Sequence, residues 1–279
     1  MSLPRVKITI LVDNKSADGL LAEHGLSFWI EVDGKRILFD TGQKDALAVN
    51  SRMLGVDLSR TDLVVLSHGH YDHTGAIPYV LGCAPCAHVY LHSAAFLPRY
   101  SVRDKVAKPI QMPADSMSAV MNLADEKIHY IAQPVFPLER VGITGPIPRE
   151  TDFEDTGGPF FLDPIGLRPD PIEDDLALWI QTEEGLVICV GCCHGGLVNT
   201  VRRIADITGE RRIRVLMGGF HLSNADMDRL KRTAAALREY DIAALIPCHC
   251  TGDGAVEYFK KHLDCPVQAG HGGFSLNVP

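Results

Sequence analysis

The apolar run Leu63-Val64-Val65-Leu66 stops at Ser67-His68-Gly69-His70-Tyr71-Asp72-His73-Thr74-Gly75. A short β-branched run reads as a buried strand. Three imidazoles and one carboxylate therefore fall in the loop at its end. Neutral imidazole and carboxylate are the donors of zinc, manganese and iron sites. The order His-x-His-x-Asp-His suits two adjacent divalent ions. His68 and His70 can bind one, while Asp72 and His73 turn toward the other. A solvated loop that happens to be rich in histidine would not need a buried strand in front of it.

The rest of the chain reads as a layered protein. Lys7 to Val12, Ser27 to Val32 and Arg36 to Phe39 are short and β-rich, and Asp33-Gly34 is a type I′ hairpin signal between the last two. Asp40-Thr41-Gly42 closes the third strand with turn residues. Asp45 to Leu54 has helical spacing, Thr74 to Leu81 opens a helix behind the metal loop, and His88 to Leu91 is a strand. Beyond residue 171, strands at Leu176 to Gln181, Leu186 to Val190, Ile213 to Met217 and Ala243 to Pro247 are interspersed with helices. Those helices are expected at Leu197 to Ile207, Asp226 to Tyr240 and Gly254 to His262. The order predicts an α/β (α+β) sandwich of two sheets with helices on both outer faces, as one domain over residues 1–279. No solenoid period is visible.

Between about Ser93 and Pro171 the periodicity is lost and prolines accumulate. A long segment of that kind is usually functional or disordered. Two readings stand: an insertion or lid over the metal loop, spanning about 93–171, or a structural connection between two halves. Ile128 to Ala132 and Gly142 to Thr144 read as strands within it.

Four expected strands end in a polar loop carrying histidine: those before His68, His194, His221 and His249. Loops held by a rigid sheet are where scaffolds build sites. One histidine at a strand end is commonly structural, whereas four at matched positions point to convergence. For His221 three roles stay open: a ligand, a partner that orients one, or a substrate contact.

With these motifs the chain resembles the metallo-β-lactamase-fold hydrolase superfamily, whose signature is His-x-His-x-Asp-His after a buried strand. Glu23-His24-Gly25-Leu26-Ser27, Leu38-Phe39-Asp40-Thr41-Gly42, Gly191-Cys192-Cys193-His194, Gly218-Gly219-Phe220-His221-Leu222 and His249-Cys250-Thr251-Gly252 recur in this order in one branch. That branch is the one related to 7,8-dihydropterin-6-methyl-4-(β-D-ribofuranosyl)-aminobenzene-5′-phosphate synthase. The resemblance spans nearly the whole chain. It implies an αββα four-layer sandwich and a binuclear metal site. His194 and His249 would join His68, His70, Asp72 and His73 as ligands, with Asp40 supporting the metal loop. His24, between two early strands, would reach the site on a flap as a substrate contact, or stay a solvated loop histidine. A substrate does not follow from a fold.

The chain also departs from better-known members. Those often carry a histidine in a Pro-Gly-His-Thr turn and a bridging aspartate in a Gly-Asp pair. Here Asp174-Asp175 precedes the later strand pair, and Gly191-Cys192 falls where Gly-Asp would stand. Asp175, with Asp174, either supplies a carboxylate in place of the imidazole or forms a solvated acidic turn. Cys192 is either a thiolate ligand, since a metal deprotonates a coordinating thiol, or buried packing.

Two cations about 3.5–4 Å apart can bridge a hydroxide and clamp an oxyanion. The expected function is a metal-dependent hydrolase using a metal-bound hydroxide on a small-molecule ester, lactone or phosphoester, with Asp72 and His73 as catalytic residues. Zinc is expected first, with manganese or iron as alternatives. Arg99, Arg103, Lys105, Lys108 and Arg149 could grip an anionic substrate, Arg149 from the far end of the insertion. Other readings are a synthase-like transferase of the branch, a di-iron redox protein and a metabolite-binding protein on the same scaffold.

Composition excludes several partners. A net charge of −8 with no basic stripe argues against nucleic acid. No run of eighteen apolar residues spans a membrane, and Met1-Ser2-Leu3-Pro4 leads into Val6-Lys7-Ile8 without an export leader. A cytoplasmic location is expected, with the eight cysteines as thiols. Cys83-Ala84-Pro85-Cys86 lacks a second such pair and reads as packing. A homo-oligomer is left open.

Overall fold

The computed structural model describes residues 6–279; Met1-Ser2-Leu3-Pro4, on which the expected absence of a leader rests, lies outside them. Among the described residues no helix is long and apolar enough to cross a membrane.

Two seven-stranded sheets pack face to face. In the first, strands run in the order Ser275–Val278, Val6–Val12, Ser27–Val32, Lys35–Phe39, Leu63–Val65, His88–Leu91 and Ile128–Tyr130. In the second the order is Asp241–Ile242, Arg212–Gly219, Gly185–Val190, Ala177–Thr182, Val141–Ile143 and Val135–Leu138, with Leu245–Cys248 also pairing with Arg212–Gly219. Side chains alternate across a strand. Phe28, Ile30, Ile37, Phe39, Leu178, Ile180, Val187 and Cys189 thus meet between the sheets. Their neighbours Trp29, Leu38 and Val64 face the helices Ala46–Met53 and Ile77–Cys83. On the other side, Trp179, Ile188 and Leu216 face Leu197–Thr208, Met227–Leu237 and Asp253–His262. Burial on both faces is why these strands read as continuous apolar runs. The αββα sandwich is the expected one.

Local chemistry fixes the boundaries. Asp33 and Gly34 both have positive φ, 50° and 73°, as a type I′ turn requires. Asp226 caps its helix by accepting from Arg229 N at 2.8 Å. The helix expected at Thr74 to Leu81 is broken at Gly75-Ala76. A short turn, Tyr71–Thr74, carries the metal loop, and the helix proper begins at Ile77 with Pro78 in its first turn.

The proline-rich segment divides into parts. Ile128–Tyr130 completes the first sheet, and Val135–Leu138 with Val141–Ile143 completes the second. Tyr100–Arg103 and Val106–Pro109 form a hairpin that pairs with Phe160–Phe161 in a separate three-stranded sheet. That small sheet is fastened to the metal loop: Tyr71 N donates to Ile110 O at 3.1 Å, and His70 bridges to Gln111.

Candidate metal centre

The four histidine-bearing loops leave the carboxyl ends of Leu63–Val65, Gly185–Val190, Arg212–Gly219 and Leu245–Cys248. The last three strands lie side by side and parallel, with Val190 opposite Gly218 and Gly219 opposite Cys248. Gly219 N donates to Gly191 O at 3.0 Å, so these loops start in register. Ser67 O accepts from Leu176 N at 2.8 Å and joins the first sheet's loop to the second.

The side chains meet in four overlapping groups, each with ligand atoms within 4.8 Å of one another. They are His68–Cys192–His194, His73–Cys192–His249, Cys192–His221–Cys250 and His24–Asp72–His249. Cys192 is common to three of them. Nε2 of His68 lies 2.9 Å from Nδ1 of His70. Asp72 Oδ2 lies 3.2 Å from His24 Nε2, 3.5 Å from His249 Nε2 and 3.7 Å from His73 Nε2. Cys192 Sγ is 3.2 Å from His73 Nε2.

Most of the rings are held from behind. Asp40 Oδ2 accepts from His73 Nδ1 at 2.7 Å, Thr156 O bonds His194 Nδ1 at 2.7 Å, and Asn14 Oδ1 bonds His249 Nδ1 at 2.9 Å. Ser67 Oγ meets His68 Nδ1 at 2.8 Å. Fixing one ring nitrogen aims the other. Nε2 of His70 and of His194 are buried with no hydrogen-bond partner among the described residues, as is Nδ1 of His221.

Electrostatics follow from burial. His68, His70 and His194 are pushed well below the usual imidazole range, first by desolvation and then by neighbouring imidazoles and, for His68 and His70, Arg99. Desolvation also pushes His73 down, but Asp40 and Asp72 outweigh it and raise the ring to about 9. Burial pushes Asp72 up, but His73, His249 and His70 hold it well below the usual carboxylate range. Burial and the neighbouring Cys250 keep the Cys192 thiol high; burial pushes Cys250 up as well, but Cys192, His221 and His249 outweigh it and hold that thiol well below the usual range.

A cavity of about 430 Å³ opens over these groups, reached by His24, Tyr71, Arg103, Lys108 and Phe160. Phe160 forms its wall, with ring centroids 5.4 Å from His70 and 5.3 Å from His194. His24 thus lines this cavity with its side chain still half-exposed.

Several expectations need correction. Arg149 does not line the cavity: its guanidinium donates to Pro171 O and His194 O, both at 2.6 Å, and so braces the loop that carries His194. Arg99 is fully buried between Asp170 and Asp174 and cannot reach a substrate. Asp174 and Asp175 are not a solvated turn. Asp174 accepts from Gly69 N at 2.7 Å, and Asp175 accepts from Gly195 N at 2.6 Å. Asp175 falls in none of the four groups, and burial raises its carboxyl to about 7. Asp40 is consumed by Ser67 and His73. Cys250 and Phe160 were not expected at the site. Cys250 carries a usable signal, since it follows His249 directly at a strand end.

Residues 21–202 match the metallo-beta-lactamase superfamily model. The chain is 29% identical over 264 residues to the 7,8-dihydropterin-6-methyl-4-(beta-D-ribofuranosyl)-aminobenzene-5'-phosphate synthase of Methanocaldococcus jannaschii, covering 90% of this chain and 89% of that protein. It is 31% identical over 249 residues to an uncharacterized protein of the same organism, covering 88% and 90%. The crystal structure of Tm1679, a metal-dependent hydrolase of the beta-lactamase superfamily, is similar at a TM-score of 0.84 and 32% identity, covering 98% of this chain and 99% of that one.

Proposed function

The chain belongs to the metallo-beta-lactamase superfamily, and from that premise we propose a metal-dependent hydrolase of small anionic esters, lactones or phosphoesters with two divalent cations, zinc first. One observation carries the reading. His194 is tied at Nδ1 to Thr156 O, while its Nε2 is buried beside His68 and Cys192 with no hydrogen-bond partner among the described residues. Leaving a buried polar atom unpaired costs about 1–3 kcal/mol, and a cation removes that cost.

The donor set fits such ions. His68, His70 and His194 would hold one, and Asp72, His73 and His249 the other, with Cys192 between them. Two such ions supply Lewis acidity and a water acidic enough to lose its proton near neutral pH. The protein's residues supply orientation and exclusion. Asp40, Thr156 and Asn14 aim three rings inward from behind. Phe160 and Ile110 give the cavity an apolar lining beside the metal loop. Asp72 Oδ2 lies between His24, His73 and His249 and would hold the second cation or orient a water beside it. Arg103 and Lys108, facing the cavity from the small hairpin, favour an anionic substrate.

A second reading is a synthase-like transferase, favoured by the similarity to the M. jannaschii synthase over nearly the full chain. It uses the same cations and would need a second substrate in the adjoining cavity of about 590 Å³, which shares Arg103 and His221 with the first.

Elemental analysis of protein purified without added metal tests the proposal, alongside His68→Ala and Asp72→Ala. About two equivalents of zinc or manganese, lost in the variants, with turnover in an ester and phosphodiester screen, is the expected result. Iron in their place would favour redox chemistry. A folded protein that binds no cation after reconstitution would overturn the hydrolase.

A further inference from the structure

We propose that Cys192, Cys250 and His221 form a sulfur-rich metal subsite beside the imidazole and carboxylate positions, suited to a borderline cation such as zinc(II). It rests on the metallohydrolase reading only through the shared Cys192. Cys250 and His221 have no part in that reading.

The geometry is close to a chelating one. Cys250 Sγ lies 3.4 Å from Cys192 Sγ, and a ring nitrogen of His221 is within 4.8 Å of both. Zinc–sulfur bonds are about 2.3 Å in tetrahedral sites, so two sulfurs on one ion sit roughly 3.8 Å apart. The pair needs to open by only a few tenths of an ångström. A disulfide would need closure to about 2.05 Å.

The donors are presented rigidly. They leave the ends of three adjacent parallel strands, Gly185–Val190, Arg212–Gly219 and Leu245–Cys248. His221 is held at φ 48° and His249, before Cys250, at φ 52°. Such backbone persists only where its surroundings enforce it, and it gathers at functional sites. Here Thr251 Oγ1 accepts from Phe220 N at 3.0 Å and donates to Cys248 O at 2.7 Å, stapling the two loops together. Gly157 packs so closely on the His221 ring that a Cβ would overlap it, which fixes the ring. Nδ1 of that ring is nevertheless buried with no partner among the described residues. Thiolate sulfur selects for softer cations than carboxylate does, so this subsite would discriminate against magnesium and manganese.

Cobalt(II) is the probe. The whole chain is stripped with chelator, reloaded with cobalt chloride and examined by absorption and elemental analysis, as wild type and as Cys250→Ser, Cys192→Ser, His221→Ala and His68→Ala. The expected result is a near-ultraviolet thiolate-to-cobalt charge-transfer band that falls in Cys250→Ser, one thiolate being lost, and falls further in Cys192→Ser, which removes the thiolate shared with the neighbouring cations. It persists in His68→Ala. Circular dichroism of the metal-free variants checks that they fold. A band of full strength in Cys250→Ser would overturn the proposal, as would a Cys192–Cys250 disulfide found by intact mass in freshly purified protein. Failure of the hydrolase reading looks different. The sulfur band would remain in wild type, while His68→Ala would cost neither metal nor turnover. No cobalt retained by wild type would overturn both.

Discussion

Asp40 Oδ2 accepts a hydrogen bond from His73 Nδ1 at 2.7 Å, and the same carboxylate takes Ser67 N and Ser67 Oγ, each at 2.7 Å. One fully buried side chain thereby ties the end of the metal-loop strand to a proposed ligand. Asp40 itself sits at φ 59°, a conformation that Asn tolerates. Asp40→Asn should therefore keep the backbone but lose the charge that orients His73. We expect metal affinity to fall about 10–100-fold, read by competition with a chromophoric chelator. Unchanged affinity would remove Asp40 from the support of the site.

Arg99 offers a second test. It is buried between Asp170 and Asp174, with Nε 2.8 Å from Asp170 Oδ2, and Asp174 in turn holds Gly69 N. Arg99→Met leaves two buried carboxylates without their cation. Breaking a buried pair in this way costs about 3–5 kcal/mol. Urea unfolding should show that loss, and Arg99→Met with Asp174→Asn should recover part of it. A loss under about 1 kcal/mol would mean that the triad is solvated like a surface pair.

The sequence made the metal loop and the central strands legible because both faces of those strands are covered, giving unbroken apolar runs such as Leu63 to Leu66 and Leu186 to Val190. Ser275–Val278 was invisible for the opposite reason: it is a half-exposed edge strand whose partner, Val6–Val12, lies at the other end of the chain. The hairpin at 100–109 is largely solvated and shows no alternation. Charge alone could not separate Arg99 from Arg103, because the carboxylate that claims Arg99 is 75 residues away. Cys250 was hidden beside a histidine that explained the motif without it.

Glycine 69 tests why the metal loop has its composition. A Cβ there would overlap the backbone carbonyl of Ala95, which cannot move aside as a side-chain tip can. Gly69→Ala should cost about 1–3 kcal/mol, as overpacking does, and should also weaken metal binding by displacing His68 and His70. Gly82, in the helix Ile77–Cys83, has nothing within 4 Å of a built Cβ. Gly82→Ala should instead stabilise by about 0.5–1 kcal/mol. Thermal unfolding of the two variants should move in opposite directions. Equal shifts would mean that the loop can relax around Ala95.

Arg103 and Lys108 lie on neighbouring strands of the small hairpin and both face the cavity over the proposed cations. Lys108 Nζ also reaches Tyr71 Oη at 3.2 Å and lies 5.2 Å from the centre of its ring, so its ammonium is held near the metal loop. Neither contacts a reacting bond in the proposed reading, so they should act on binding. A hydrogen bond to a charged group contributes about 1.5–3 kcal/mol. Arg103→Ala or Lys108→Ala should then raise KM for an anionic ester about tenfold or more, with kcat nearly unchanged, the pattern of uniform binding lost. A neutral ester of the same size should be unaffected, and added salt should narrow the difference between the two substrates. If both substrates lose equally, the hairpin serves to shape the cavity and the anionic preference is wrong.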